Sequence, residues 1–543
     1  MKIQNTKAQI RLPLFLSIAI AAGIFIGANM TSSSSTKGSD LAQSLHKFKE
    51  ILSYIDRNYV DEVETDELVE KAISDMLEEL DPHTSYIPAE EQEYSRSQLE
   101  GNFDGIGIEY NIFRDTIYVV APLSGGPSEK VGLLTGDKII KVDNENVAGI
   151  GINTRGVLDR LRGPKGTHVT VSIQRKNNKE LLDFEIIRDK IPQFSVDASY
   201  MIDSEIGYIK VNRFTATTYD EFKLALNKLD EQGLKKLILD LTGNPGGYMS
   251  MAIQMADEFL PGDPMIVFTK GKELRYNQEH RAGMEGIFEN RPLVVLIDEG
   301  SASASEIVSG AIQDNDRGLV VGRRSFGKGL VQMPIDLTDG SELRLTISRY
   351  YTPSGRSIQR SYEGGKDDYY SDIYNRYTSG EMYNADSIHQ NDSLKYKTVK
   401  GRTVYGGGGI MPDYFIPIDT TGNSSYLNKL FTTNAIREYS LTYSDANRKK
   451  LEKEGFDKYF TEFNVSEQML NELVAVAEES GLPFNHSQFN HSKELIKVYL
   501  KAQIARGVWN NDGFYPIFNQ TNEIYMKAIQ LFDQAEAIMA RTN

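Results

Sequence analysis

The chain has 543 residues, 40% of them hydrophobic and 25% charged, too long for one compact core, and about three or four domains are expected. A formal net charge of −16 argues against nucleic acid as a partner, because neutralising phosphate needs clustered Lys and Arg. The absence of cysteine removes disulfides, Cys–zinc sites and thiol catalysis, and the seven histidines form no ligand spacing such as His-Glu-x-x-His, so neither a metal nor a cofactor is expected.

At the N-terminus, Lys2, Lys7 and Arg11 precede an apolar run of 19 residues from Leu12 to Met30, followed by a Thr/Ser tract. That is near the length needed to span a bilayer, and the charge order places the bulk of the chain outside the cytoplasm. Residues 1–30 therefore read as a signal-anchor, with a signal peptide cut near Gly27-Ala28 as the other reading, and the membrane is the expected partner of this segment. Residues 31–103 read as a linker and a helical segment. Phe48, Ile51, Leu52 and Ile55, then Leu68, Ala72, Met76 and Leu80, recur at helical spacing, and Asp81-Pro82 ends the second helix. His83 follows and reads as structural.

Residues 104–190 read as an all-β module with short helices. Gly105-Ile106-Gly107-Ile108 leads into a strand, Ile117–Val120 is a second, Gly126-Pro127 opens a short helix, Lys138–Val142 is a strand, Thr154–Leu161 is an amphipathic helix, and Val169–Gln174 with Phe184–Arg188 is a hairpin. This order resembles a PDZ domain of the circularly permuted kind found in bacterial proteases. The resemblance makes Gly105, Ile106, Gly107 and Ile108 the candidate peptide-binding turn, whose N–H groups would meet a C-terminal carboxylate while the peptide adds to a sheet edge.

Residues 191–420 read as one core, and from 191 to about 355 strands and helices alternate, which argues an α/β layer structure. Leu237–Leu241 and Val294–Ile297 are apolar without alternation, as expected of strands covered on both faces. Residues 361–405 are rich in Tyr, Asp, Ser, Asn and Gly with little periodicity and read as an insertion or long surface loop. Residues 421–543 read as a C-terminal helical region with turn signals at Gly481-Leu482-Pro483 and at Asn510-Asn511-Asp512-Gly513.

Two constellations carry chemistry. Gly300-Ser301-Ala302-Ser303-Ala304-Ser305-Glu306 sets a serine before a helix, and Lys328 stands 25 positions after Ser303 between two glycines, with no histidine between His280 and His389. A serine without a histidine still needs a base, and a lysine kept neutral by burial can be one. Gln332, four residues on, can orient that lysine without adding charge. Asp240-Leu241-Thr242-Gly243-Asn244-Pro245-Gly246-Gly247 follows a buried strand; the N–H of Ala304 with that of Gly246 or Gly247 makes a candidate oxyanion hole. Gly322–Lys328 fits seven positions of a phosphate-binding P-loop, but the eighth is Gly329 and strand follows, so a nucleotide site is not expected.

Together with Leu80–Tyr86, Arg162–Thr167, Thr352-Pro353-Ser354-Gly355-Arg356-Ser357-Ile358-Gln359 and Gly408-Gly409-Ile410-Met411-Pro412-Asp413, these segments make the chain resemble the carboxy-terminal processing peptidases, or tail-specific proteases, over roughly residues 45–420. The resemblance implies an α/β protease core of the crotonase-like ββα spiral type with an inserted PDZ domain. It implies a serine endopeptidase with Ser303 as nucleophile, Lys328 as base and Gln332 in support, acting on polypeptides with accessible C-termini at the periplasmic face of the inner membrane, or in the periplasm if the leader is cut. A second copy or an adaptor protein is a further expected partner. The chain departs from the pattern at Thr242, Glu299 and the 361–405 insertion. The competing reading is a catalytically silent scaffold that recruits envelope proteins through its PDZ module.

Overall fold

The computed structural model describes residues 36–540 except 124, 176, 177 and 179, so the apolar run 12–30 lies outside the described residues. Among the described residues no helix is long and apolar enough to cross a membrane. The chain divides into residues 1–76 and 77–543. In the first unit, helix Thr36–Asn58 is amphipathic and leaves Leu41, Leu45 and Ile51 exposed. Helix Thr65–Glu78, which starts in this unit, carries Asp66 and Glu67 in its first turn, where they complement the helix dipole.

The centre of the second unit is a six-stranded sheet. Its order is Val196–Met201, Ile206–Val211, Lys236–Asp240, Leu293–Ile297, Leu319–Gly322 and Tyr414–Phe415. The first two strands form an antiparallel hairpin and every later neighbour is parallel. The unbroken apolar runs follow from this arrangement, since both faces are covered. Leu237, Leu239, Val295 and Ile297 pack on Phe222, Leu226, Met255, Val308 and Ile312 from helices Thr218–Glu231, Met249–Asp257 and Ala304–Asp314. Ile238, Val294, Leu296 and Val321 face the other way, onto Ile524, Tyr525, Ala528, Phe532 and Ile538.

That second cover comes from helices Glu523–Ile529 and Phe532–Ala540 at the end of the chain. The C-terminal helical region therefore divides. Helices from Ser425 to Phe518 enclose a core of their own around Leu430, Ile436, Leu473 and Leu500, whereas the last two belong to the α/β core. The Asn510–Gly513 turn signal corresponds to a kink within helix Lys493–Phe518, at Trp509 and Asn510.

A second sheet joins Ser85–Ile87, Glu342–Tyr351, Met265–Gly271 and Glu279–Arg281, with Leu330–Asp336 also paired to Glu342–Tyr351. The PDZ module is a sheet ordered Ile108–Phe113, Thr116–Pro122, Lys138–Val142, His168–Gln174 and Leu182–Ile187, with helices Pro127–Val131 and Thr154–Leu161. Ile108–Phe113 is an edge strand. Strands Asn102–Gly105 and Asp189–Pro192 pair where the chain enters and leaves the module, which is the signature of an insertion.

Residues 361–405 are not simply a surface loop. They contain helix Gly365–Thr378 and the ribbon Lys395–Lys397 with Thr403–Tyr405. The helix buries Tyr369 and Arg376 in place of aliphatic residues, which is why apolar periodicity does not reveal it.

Candidate active site

Three neighbouring parallel strands end on one side of the sheet, and each delivers one segment of the site. Lys236–Asp240 leads into the turn through Gly247, Leu293–Ile297 into Asp298–Ser303, and Leu319–Gly322 into the loop Arg323–Gly329. Crevices beyond the carboxyl ends of parallel strands are where open α/β sheets bind their ligands.

Ser303 precedes helix Ala304–Asp314 with φ 53° and ψ −111°, a backbone conformation rare for any residue but glycine. The turn is held from behind. Ser301 donates its hydroxyl to Leu241 O (2.8 Å), and Ala302 N–H and the Ser305 hydroxyl both donate to Asn244 O (2.9 Å each). Asp298 Oδ1 accepts from the N–H groups of Gly243 (2.7 Å) and Gly300 (3.0 Å), joining the two turns. At the base of the first turn, Asp240 accepts from Tyr208 (2.7 Å), Lys210 (2.9 Å) and the N–H and hydroxyl of Thr242 (2.8 and 2.6 Å). Thr242 is thus part of this lock.

The Gly246-Gly247 turn lies directly against the serine. A β-carbon at Gly246 would stand 2.7 Å from Ser303 Cβ and 2.9 Å from Ala304 N, and one at Gly247 would overlap the Phe214 carbonyl. The two glycines are not equivalent. Gly246 donates its N–H to Asn244 Oδ1 (2.9 Å), so the candidate donor beside Ala304 is Gly247.

Lys328 is partly exposed, with most of its length inside the protein. Burial pushes its ammonium below the usual lysine range and Arg344 adds to this, while Asp81 and Glu306 oppose it. The expected contact from Gln332 is absent among the described residues: Gln332 Nε2 donates to Thr346 Oγ1 (3.1 Å), and Thr346 N–H donates to Thr84 Oγ1 (3.2 Å). A register shift between Val331 and Gln332 accompanies this in the Leu330–Asp336 strand.

One residue that the sequence analysis does not single out ties the two halves together. The fully buried Glu306 carboxylate accepts four hydrogen bonds. Oε2 takes the N–H of Ser303 (2.8 Å) and of Lys328 (2.9 Å), and Oε1 takes the Ser325 hydroxyl (2.5 Å) and Gly327 N–H (2.7 Å). Burial pushes this carboxyl up to about 7, against the pull of its donors. Tyr350 adds a second bridge, its hydroxyl lying 2.7 Å from Lys328 O and 3.2 Å from Ser303 O. At its third position in the helix, Glu306 reads in sequence as an ordinary favourable first-turn acid. The sequence signal for a further role is the Ser303-x-x-Glu306 spacing of a capping box, in which the acid reaches back to the Ser303 N–H.

His83 packs edge-on to Tyr369, with Nε2 2.8 Å from the Tyr369 hydroxyl. Burial, with Lys328 and Arg360 nearby, pushes its imidazole down to about 3, so it stays neutral. At the PDZ turn, Ile106 O accepts the N–H and hydroxyl of Ser128 (3.0 and 2.6 Å) and Gly107 O accepts Leu123 N–H (3.0 Å). Gly107 takes φ 73°, and a β-carbon there would press on Ile191 and Pro127. Gly105 lies in the ribbon with Asp189, and Ile108 opens the edge strand. No group of carboxylates and histidines able to hold a metal occurs among the described residues.

Residues 205–371 match the model of peptidase family S41, residues 118–175 a PDZ domain, residues 22–91 the N-terminal domain of the activating protease CtpB, and residues 426–510 a family of unknown function. The chain is 38% identical over 350 residues to a carboxy-terminal-processing protease of Bartonella bacilliformis, covering 63% of this chain and 80% of the relative. It is 33% identical over 357 residues to the carboxy-terminal processing protease CtpB of Bacillus subtilis, covering 62% and 72%. The solved photosystem II D1 C-terminal processing protease is 28% identical with a TM-score of 0.33, over 57% of this chain and 89% of that one. On the strength of these relatives the chain belongs to peptidase family S41, the carboxy-terminal processing proteases, and is a serine-type peptidase.

Proposed function

We propose that the protein is an endopeptidase that cuts exported or membrane polypeptides towards their C-terminal ends, with Ser303 as nucleophile and Lys328 as general base and acid. The observation that carries this reading is the shared carboxylate: Glu306 accepts from the N–H of both residues, so one buried group sets the serine turn and the lysine loop in register. The lowered proton affinity of Lys328 suits a base that must be neutral before it acts.

In this mechanism Ser303 Oγ attacks the scissile carbonyl carbon and its proton passes to Lys328 Nζ. The oxyanion of the tetrahedral intermediate accepts from Ala304 N–H, at the start of its helix, and from Gly247 N–H. Collapse breaks the C–N bond, Lys328 returns the proton to the leaving amine, and an acyl-Ser303 ester remains. A water then attacks the ester, Lys328 taking its proton and returning it to Ser303 Oγ as the acyl C–O bond breaks, which frees the acid product and the serine. Gln332 acts at one remove, by fixing Thr346 and through it Thr84 and Asp81, whose charge acts on the lysine. The Gly105–Ile108 turn of the PDZ module reads the terminal carboxylate or gates the site, and the apolar run 12–30 anchors the enzyme at the periplasmic face of the membrane.

The test uses purified wild type, Ser303→Ala and Lys328→Ala on a protein with an apolar tail. Wild type alone should cut; equal cleavage by all three would falsify the dyad, and cleavage by none would leave a silent scaffold. Amidating the substrate tail should raise KM; an unchanged KM removes the carboxylate-reading role. Alkaline carbonate extraction of cell membranes should leave the full-length protein in the pellet if the anchor is retained, and recovery in the supernatant sinks the anchor.

A further inference from the structure

The loop that carries Lys328 is gripped on two sides. Glu306 holds it from the inside. On the outside stands helix Gly365–Thr378, in the insertion, whose second half lies beyond the stretch that matches the peptidase family. Arg376 of this helix is buried and reaches the main chain of the loop directly. Its Nη1 donates to Ser325 O (2.8 Å) and Arg324 O (3.2 Å), and its Nη2 to Phe326 O (3.4 Å). These are three consecutive carbonyls ending two residues before the base. A planar guanidinium presents its donors in a fixed fork that fits such a row better than a single ammonium does.

The grip extends along the helix. Asp372, one turn before Arg376, pairs with it (2.8 Å) and with Arg360 (2.7 Å). The Arg360 guanidinium lies between two rings, 4.0 Å from the centroid of Phe326 in the loop and 3.9 Å from that of Tyr369 in the helix. Gln359 accepts the Gly329 N–H on Oε1 (2.7 Å), just after the lysine. Glu381, past the helix, takes Arg324 of the loop in a two-pronged pair (2.6 Å each).

We propose that Arg376 is a positioning residue for Lys328, and that the insertion is a clamp that holds the base's loop against the serine turn. This rests on the reading of Lys328 as the base. Arg376 touches no reacting atom; it acts through the carbonyls of residues 324–326. A base displaced by about 1 Å costs up to about 10²-fold in rate, so loosening the loop lowers turnover while the substrate still binds.

The experiment compares full-length wild type, Arg376→Gln, Arg376→Lys and Lys328→Ala, each shown to be folded by its thermal transition. Amide hydrogen exchange over residues 324–329 is measured beside kcat and KM on an apolar-tailed protein. Arg376→Gln should lower kcat about 10- to 100-fold with KM nearly unchanged, and speed exchange at the Gly327, Lys328 and Gly329 amides. Arg376→Lys, which keeps the charge and part of the reach, should recover some of the lost kcat. A folded Arg376→Gln with wild-type kcat, or with unaltered exchange in this segment, overturns the proposal. If that variant does not fold, Glu381→Gln removes the partner of Arg324 without touching the buried arginine; faster exchange supports the clamp and unchanged exchange overturns it. The two readings separate cleanly. An active Lys328→Ala sinks the base and the clamp together, whereas an inactive Lys328→Ala beside a wild-type-like Arg376→Gln sinks the clamp alone.

Discussion

The turn that carries Ser303 and the loop that carries Lys328 leave adjacent parallel strands, yet they are held by different means. The serine side is built from small residues in close main-chain contact: a left-handed Ser303, glycines with no room for a β-carbon, and short hydroxyls returned to nearby carbonyls. The lysine side is built from long side chains arriving from afar, Glu306 and Tyr350 from within and Gln359 and Arg376 from without. One half of the site is a local conformation and the other is a tertiary agreement. Changes to the first should act by steric exclusion, and changes to the second by loss of register.

The sharpest way to break this contrast is Glu306, the group common to both halves. Glu306→Gln keeps the size but replaces one acceptor oxygen with a donor amide, leaving buried N–H groups without partners at about 1–3 kcal/mol each. We expect the largest loss here, a kcat lower by about 10³-fold or more with a lowered Tm; near-wild-type turnover would deny that one carboxylate sets both halves. Gly246→Ala tests the serine side alone. The added carbon meets Ser303 Cβ and Ala304 N, and kcat should fall about 10²–10³-fold, the scale of losing one oxyanion donor, with little change in exchange at residues 324–329.

A smaller effect is expected from pH. Lys328 must be neutral and Glu306 ionised, so both groups make activity fall as pH drops, Glu306 through about 7. The groups facing Lys328 are Asp81 and Glu306, which hold its proton, and Arg344 and neutral His83, which do not. Asp81→Asn keeps an acceptor for the His83 and Thr84 N–H groups but removes a negative charge, so the lysine should lose its proton more readily and its limb of the kcat profile should move to lower pH. A shift to higher pH would contradict that electrostatic account. His83 itself, at about 3, contributes no limb near neutrality. The smallest effect on turnover is expected outside the α/β core. Gly107→Ala in the PDZ turn should raise KM for a free-tailed substrate and leave an amidated one unaffected, as read by parallel kinetics on the two.

These differences also set what could be read from sequence. The Gly300–Glu306 run, the Asp240–Gly247 turn and the unalternating strands are legible because steric need and double burial act over a few neighbouring residues. The strand and helix order of the PDZ module is legible for the same reason. Glu306 is not, because an acid at a helix start is commonplace until its four donors are in place. Helix Gly365–Thr378 is not, because it buries a tyrosine and an arginine. The spacing of Gln332 points it at Lys328, but a strand with a register shift sets its amide on Thr346.

The two last helices carry a consequence of another kind. Ile238, Val294 and Leu296, from the strands that lead into the serine side of the site, rest on Tyr525, Ala528 and Phe532. Synthesis runs from the N-terminus, so Ser303 and Lys328 both exist in the growing chain long before the back of their sheet is covered. Until helices Glu523–Ile529 and Phe532–Ala540 dock, the sheet offers bare apolar strand faces behind the strands that lead into the site. Proteolytic competence should therefore wait on these two helices, and a chain ended after Asn522 should bind an apolar dye and hydrolyse nothing.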